Sequence, residues 1–180
     1  MKIVRTDKEL HTPMIDAKIK EAGHQLVLLP DGITEDQLIE ETKDTDLILM
    51  CYTPVTRRVI ETAKKLKGIV KYGVGIDAID IPAATAKGIP VVNIPEYAEQ
   101  TVAEGAFAML IALAKKLPAI QNQMESDGWA WPEPKWLGSD IAGKTLGIVG
   151  FGKIGKSMAR MAHYGFRARV IAFSPHTDDH

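Results

Sequence analysis

The chain has 180 residues, 46% apolar and 25% charged, as in a water-soluble globular protein of one large domain or two small ones. A formal net charge of -1, a pI near 6.5 and scattered Lys and Arg leave no basic face for a polyanion, so nucleic-acid binding is not expected. Cys51 is the only cysteine, which excludes an internal disulfide and a thiolate-rich metal site; with an N-terminus that begins a strand rather than a signal peptide, it points to the cytoplasm.

From the start to about Asn93, short apolar runs alternate with amphipathic segments, the pattern of a parallel sheet covered by helices. Strands are predicted at 2–5, 25–29, 47–50, 69–71 and 91–93. Helices are predicted at 14–22, stopped by Gly23, at 35–42, capped by Thr34, and at 57–66, capped by Thr56. Asp80, with Pro82 in the first turn, caps a short helix that Gly88 closes. Residues 101–117 form a longer helix, apolar nearly all round, as expected of an element buried between two domains or two subunits. Its apolar stretch, 105–114, is too short to cross a bilayer, so no membrane partner is expected. A polar helix continues over 119–127, and 128–143 is a loop or arm carrying Trp129, Trp131 and Trp136. A strand (145–149), a glycine turn, a helix (153–164) and a last strand (169–173) complete the order.

The turn is Gly150-Phe151-Gly152-Lys153-Ile154-Gly155, a G-x-G-x-x-G between a strand and a helix. A dinucleotide pyrophosphate needs backbone N–H donors at close range and the positive end of a helix, with no side chain intervening. Gly150 permits the tight turn, Gly152 removes the Cβ that would block the phosphates, and Gly155 lets helix and strand pack closely. The residues after the turn suffice for one helix and one strand, not for a six-stranded sheet. The residue after the next strand, which often meets the adenosine ribose as an acid, is Ser174. Loss of the carboxylate would admit the 2′-phosphate of NADP, but no arginine follows, and Asp178 and Asp179 lie close by, so the balance favours NAD. A plain surface turn also accounts for Ser174-Pro175-His176.

Tyr72-Gly73-Val74-Gly75 follows the fourth strand, at the carboxyl edge where parallel sheets place ligands. Its free amides could hold a small carboxylate, or the turn could be structural only. Asp77 and Asp80 would repel an anion and are assigned to holding the loop and capping the helix. Cys51-Tyr52-Thr53-Pro54, after the third strand, could form the other wall or simply the turn before a capped helix.

Lys71-Tyr72-Gly73-Val74-Gly75-Ile76-Asp77, then Asn93-Ile94-Pro95 with Thr101-Val102-Ala103-Glu104, then Gly143 to Gly155, resemble the NAD(P)-dependent D-isomer-specific 2-hydroxyacid dehydrogenases in order and spacing over essentially the whole chain. The resemblance implies an incomplete flavodoxin-like parallel-sheet substrate domain (1–98) followed by an incomplete Rossmann dinucleotide-binding domain (99–180). It makes Val74 and Gly75 backbone donors to the carboxylate of a small 2-oxo or 2-hydroxy acid, with Tyr52 and Thr53 lining the pocket. Gly150, Phe151, Gly152, Lys153, Ile154, Gly155 and Ser174 would hold the cofactor, in a cleft shared with the substrate. Thr101 would approach the nicotinamide end, and it could also cap its own helix. The long helix and the tryptophan arm would form a homodimer contact.

Reduction of a 2-oxo acid needs a proton donor for the developing alkoxide and a cation for the carboxylate. In the family these are a histidine assisted by an acidic residue, and an arginine, all expected beyond the end of this chain. His11, His24, His163, His176 and His180 do not substitute, so no catalytic residue and no metal ligand is assigned. The 180 residues are therefore expected to bind without turnover, and the short nucleotide-binding sheet to expose an edge and apolar faces that favour association. The alternatives are a non-enzymatic nucleotide-binding or corepressor-like interaction protein, and a functionless truncation product.

Overall fold

The computed structural model describes residues 1–8, 10 and 12–175, which form two compact units, Met1–Tyr97 and Ala98–His180. His11, His176, Asp178, Asp179 and His180, weighed above, lie outside the described residues.

The first unit contains β1 (Lys2–Arg5), α1 (Pro13–Glu21), β2 (Gln25–Leu28), α2 (Glu35–Thr42), β3 (Leu47–Met50), α3 (Arg57–Thr62), β4 (Gly68–Lys71), α4 (Ile81–Ala86) and β5 (Val91–Val92). All five strands are parallel, in the order β2-β1-β3-β4-β5. This is the doubly wound flavodoxin-like order, whose winding reverses between β1 and β3. Val4, Ile48, Met50 and Ile69 of the central strands are buried against Leu38, Val59 and Ile60 of the helices. Each such side chain contributes about 1.5–3 kcal/mol by leaving water.

Helix starts follow local chemistry. Thr34 accepts from the Gln37 N–H while the Gln37 side chain accepts from the Thr34 N–H, Thr56 accepts from Val59, and Asp80 accepts from Ala83 at 2.8 Å. Helix ends depart more from expectation. The third helix stops at Thr62 rather than 66, because the chain turns at Ala63 so that both Ala63 and Leu66 enter the core before β4.

In the second unit α5 (Glu99–Ala114) and α6 (Leu117–Asp127) precede β6 (Thr145–Val149), α7 (Lys153–Arg160) and β7 (Arg169–Phe173), with β6 and β7 paired in parallel. The long helix ends at Ala114, not 117. Lys116 adopts a left-handed φ of 56°, and Pro118, lacking an N–H, starts a separate helix. The orphaned Ala114 carbonyl instead accepts from the Ser139 N–H at 2.7 Å. Glycine is required beside it, since a Cβ on Gly138 would sit 2.7 Å from that same oxygen.

Within the single chain only Ala103 and Phe107 of α5 are buried, while Val102, Met109 and Leu113 are exposed. One further expectation is corrected. Thr101 does not cap the helix: it lies in the first turn, and the cap position is Ala98, which has no side-chain hydroxyl to offer. A small core joins Phe107, Ala162 and Ala168, with Phe107 and Phe166 rings 4.9 Å apart. Helix α7 runs into a π-helical turn, Met161–Gly165, so the predicted 153–164 helix changes pitch in its last turn. Trp129 and Trp131 are exposed, whereas Trp136 is half-buried on a 3-10 turn, Pro134–Trp136. Val149, Ile171 and Phe173 leave apolar surface on the β6–β7 pair. No helix among the described residues is long and apolar enough to cross a membrane.

Candidate functional site

At the carboxyl edge of the first sheet, where β1 and β3 diverge in their connections, the loops are organised by a carboxylate. Asp7 is 7% exposed and takes a left-handed φ of 57°, a conformation Asp tolerates better than most residues. Its side chain accepts from the backbone N–H groups of Cys51 (2.8 Å), Tyr52 (3.1 Å) and Thr53 (3.2 Å), and from the hydroxyls of Thr6 (2.6 Å) and Thr53 (3.0 Å). Burial opposes its ionisation, but these hydrogen bonds outweigh burial and hold the carboxyl below its ordinary value.

The segment held in this way carries two of the predicted residues. Thr53 is buried with both its N–H and its hydroxyl on Asp7, whereas Tyr52 is 76% exposed. Its continuation is joined to the loop after β4 by a parallel bridge between Val55 and Ile79. Tyr72 N–H donates to the Met50 carbonyl at 2.8 Å, and the Cys51 thiol donates to the Tyr72 carbonyl at 3.2 Å.

The glycine turn stands beside it. Gly73 has a φ of 149°, and its carbonyl accepts from Ile94 N–H at 3.0 Å. Asn93 donates from Nδ2 to the Val74 carbonyl at 2.7 Å. Both carbonyls are held by the residues that follow β5, and the Val74 and Gly75 N–H groups have no acceptor among the described residues. Both residues line a depression of about 830 Å³, together with Tyr52, Lys71 and Asp77 among others. Burial pushes the Tyr72 phenol on its wall above the ordinary value. Of the residues predicted here, Tyr52, Val74 and Gly75 thus share one pocket, and Thr53 braces it from behind and borders the neighbouring depression beside Asp7.

In the second unit, β6 leads into Gly150, whose φ of 96° suits glycine, and whose N–H donates to the Phe173 carbonyl at 2.8 Å. A Cβ on Gly155 would lie 2.2 Å from the Gly150 carbonyl oxygen and 3.4 Å from Ile148, so only glycine allows the helix to approach the turn. Gly152 is the opposite case: a Cβ there would meet nothing within 4 Å, so its lack of a side chain keeps space open in front of the helix. Gly152 occupies the cap position of α7, Lys153, Ile154 and Gly155 form its first turn, and Phe151 is half-buried. Helix geometry leaves first-turn N–H groups unused within the helix and adds the favourable end of its dipole, the arrangement an anionic phosphate requires. Ser174, half-buried, follows β7 directly. Thr101 is exposed on the first turn of α5.

These features coincide with a match to the family model described as D-isomer specific 2-hydroxyacid dehydrogenase, catalytic domain, over residues 4–169. The chain belongs to that family. It is 38% identical over 177 residues to a D-3-phosphoglycerate dehydrogenase of Methanocaldococcus jannaschii, covering 98% of this chain and 32% of that protein. An acyclic imino acid reductase solved with NADPH and D-Arg superposes with a TM-score of 0.82 at 32% identity, covering 96% of this chain and 55% of the other. A D-lactate dehydrogenase from Aquifex aeolicus solved with NAD and lactic acid gives 0.81 at 25% identity, covering 98% and 52%. The chain therefore spans about a third of that phosphoglycerate dehydrogenase and about half of each solved chain.

At the carboxyl edge Asp7 escaped sequence reasoning altogether, while Lys71 and Asn93 entered it only as letters of the matching motifs, with no role assigned to either side chain. The rule that drew attention to 51–54 and 72–75 applies equally to the residues ending β1 and β5, and Thr6-Asp7 is a polar pair directly after an apolar strand. Its partners lie 44 to 46 residues away, which no local pattern encodes.

Proposed function

We propose that the chain serves reversible hydride transfer between a nicotinamide cofactor and a small 2-oxo or 2-hydroxy acid. The observation that carries this is the pair of opposite glycines on one turn, Gly155 closed against Gly150 and Gly152 open in front of the helix. That combination packs a helix N-terminus tightly on a strand and leaves room for a pyrophosphate. The cofactor would supply the hydride at its nicotinamide ring. The α7 first turn receives the diphosphate, Ser174 the adenosine ribose, and Thr101 is assigned to the nicotinamide end. The Val74 and Gly75 N–H groups orient the carboxylate of the acid, with Tyr52 at the mouth and Thr53 behind. NAD is the assigned form, since Ser174 is followed by no arginine to bind a 2′-phosphate.

We assign binding rather than turnover to these 180 residues. Among the described residues no histidine lines the depression at the glycine turn of the first unit, and His163 faces the Ala168 carbonyl through Nδ1 at 3.3 Å. Fluorescence titration with NADH and NADPH, beside an assay on glyoxylate, hydroxypyruvate and pyruvate, checks both points. NADH is expected to bind more tightly and no oxidation to occur. Tighter NADPH binding overturns the cofactor assignment, and turnover overturns the assignment of binding alone.

A homodimer is also proposed, through apolar surface on α5 (Met109, Leu113) and on the arm (Trp129, Trp131, Leu137), all exposed within their own unit. Sedimentation velocity is expected to show a dimer that Trp129→Ser with Trp131→Ser shifts to monomer. A monomeric parent protein across the micromolar range rules the contact out.

A further inference from the structure

We infer that Lys71 is a specificity determinant: its ammonium pairs with the carboxylate of the substrate at the glycine turn. The inference rests on the assignment of Val74 and Gly75 as carboxylate donors. Lys71 is the last residue of β4 and is only 9% exposed. Its Nζ donates to the Cys51 carbonyl and lies 5.6 Å from the centroid of the Tyr52 ring. Among the described residues no carboxylate makes an ion pair with it.

A buried ammonium has three donors and a full charge, and charges withdrawn from water are ordinarily paired. One carbonyl and one ring face answer only part of that demand. The geometry indicates where the remainder is met. A Cβ on Gly73 would lie 3.2 Å from Lys71 Cε and 3.8 Å from Nζ, so the absence of a side chain at Gly73 admits the lysine against the turn. The next two residues of that turn carry the unused N–H groups, and all three line the same depression.

The charge balance of the pocket leads to the same conclusion. Its described lining contains two charged side chains, Lys71 and Asp77, and Asp77 reaches to 3.2 Å from the position of a Cβ on Gly75. Amides alone would present an incoming carboxylate to a neighbourhood dominated by Asp77. Lys71 offsets that charge and places a cation within the same lining. It also discriminates between an acid and its neutral analogue of the same shape, which backbone amides do only weakly.

The test compares pyruvate with pyruvamide, its uncharged amide, in NMR titrations of the 15N-labelled 180-residue chain, read at the Val74 and Gly75 amides. The parent chain is expected to prefer pyruvate. Lys71→Met is expected to weaken pyruvate at least about tenfold while changing pyruvamide less than about twofold, and Lys71→Arg to keep the preference. Should the methionine variant not fold, Lys71→Gln, which retains a donor for the Cys51 carbonyl without the charge, decides by the same ratio. An unchanged pyruvate-to-pyruvamide ratio in the folded neutral variant, or equal loss of both ligands, overturns the role of Lys71 while leaving the amide site standing. No response of Val74 and Gly75 to pyruvate in the parent chain overturns the amide site itself, and the inference with it.

Discussion

Asp7→Ala is expected to destabilise the first unit by about 3 kcal/mol or more, because removing a buried carboxylate strands several donors at once and hydrogen bonds to a charged group are worth about 1.5–3 kcal/mol each. Three consecutive N–H groups, of Cys51, Tyr52 and Thr53, and the hydroxyls of Thr6 and Thr53 would lose their shared acceptor. Asp7→Asn should fare little better, since its amide turns a donor toward donors. The loss should depend on pH with a definite sign. Asp7 is held below its ordinary value in the folded chain, so its stabilisation is fully present above the unfolded value, about 3.9, and disappears as pH falls through the lower folded value. Urea unfolding at a series of pH values between neutral and about pH 3 measures it as the difference between parent and variant. Asp44, Asp46 and Asp140 are also held low, by Lys2, Lys67 and Lys115, but they are common to both proteins and cancel. A difference that stays constant down to the lowest pH would mean the carboxylate charge does not hold the turn.

The second large effect is expected at Gly155. Alanine there places a methyl 2.2 Å from the Gly150 carbonyl oxygen, so the helix must retreat or the turn must open. Overpacking of this kind costs about 1–3 kcal/mol and moves the first-turn N–H groups off the phosphate position. Gly155→Ala should therefore lower the melting temperature of the second unit and weaken NADH binding at least about tenfold. Gly152→Ala provides the contrast. Its φ of -74° suits alanine and its Cβ would meet no protein atom within 4 Å, so stability should hardly change while cofactor binding falls. Thermal melts and NADH fluorescence titrations of the two variants separate packing from ligand approach. Undiminished binding in both would refute the turn as a phosphate cradle.

The elements that sequence reasoning placed well are those whose cause is local. Apolar runs bounded by turn residues marked β1, β3, β6 and β7 residue for residue, and Thr34, Thr56 and Asp80 cap helices through side chains that reach three residues ahead. Gly155 was also legible, because the spacing of a strand, a turn and a helix already requires the close approach that its missing Cβ allows. The alternative of Thr101 as a cap fails for the complementary reason. The helix begins earlier, at Glu99, without any capping side chain, so no residue type announces its start. The break after Ala114 depended on a contact with Ser139, and the end of α3 on the burial of Ala63 and Leu66.

The order of strands and helices, the two glycine turns and the family are all written in short-range spacing and residue chemistry, and the chain carries them without reference to its folding. The pocket at the carboxyl edge is different, because it exists only once the sheet has formed. Asp7, Lys71 and Asn93 act on residues 19 to 46 positions away, and only the parallel pairing of β1 with β3, β3 with β4 and β4 with β5 brings them to one edge. An aspartate or a lysine is an ordinary letter in a sequence. Removed from water, its charge must find partners, and those partners are chosen by the topology of the sheet.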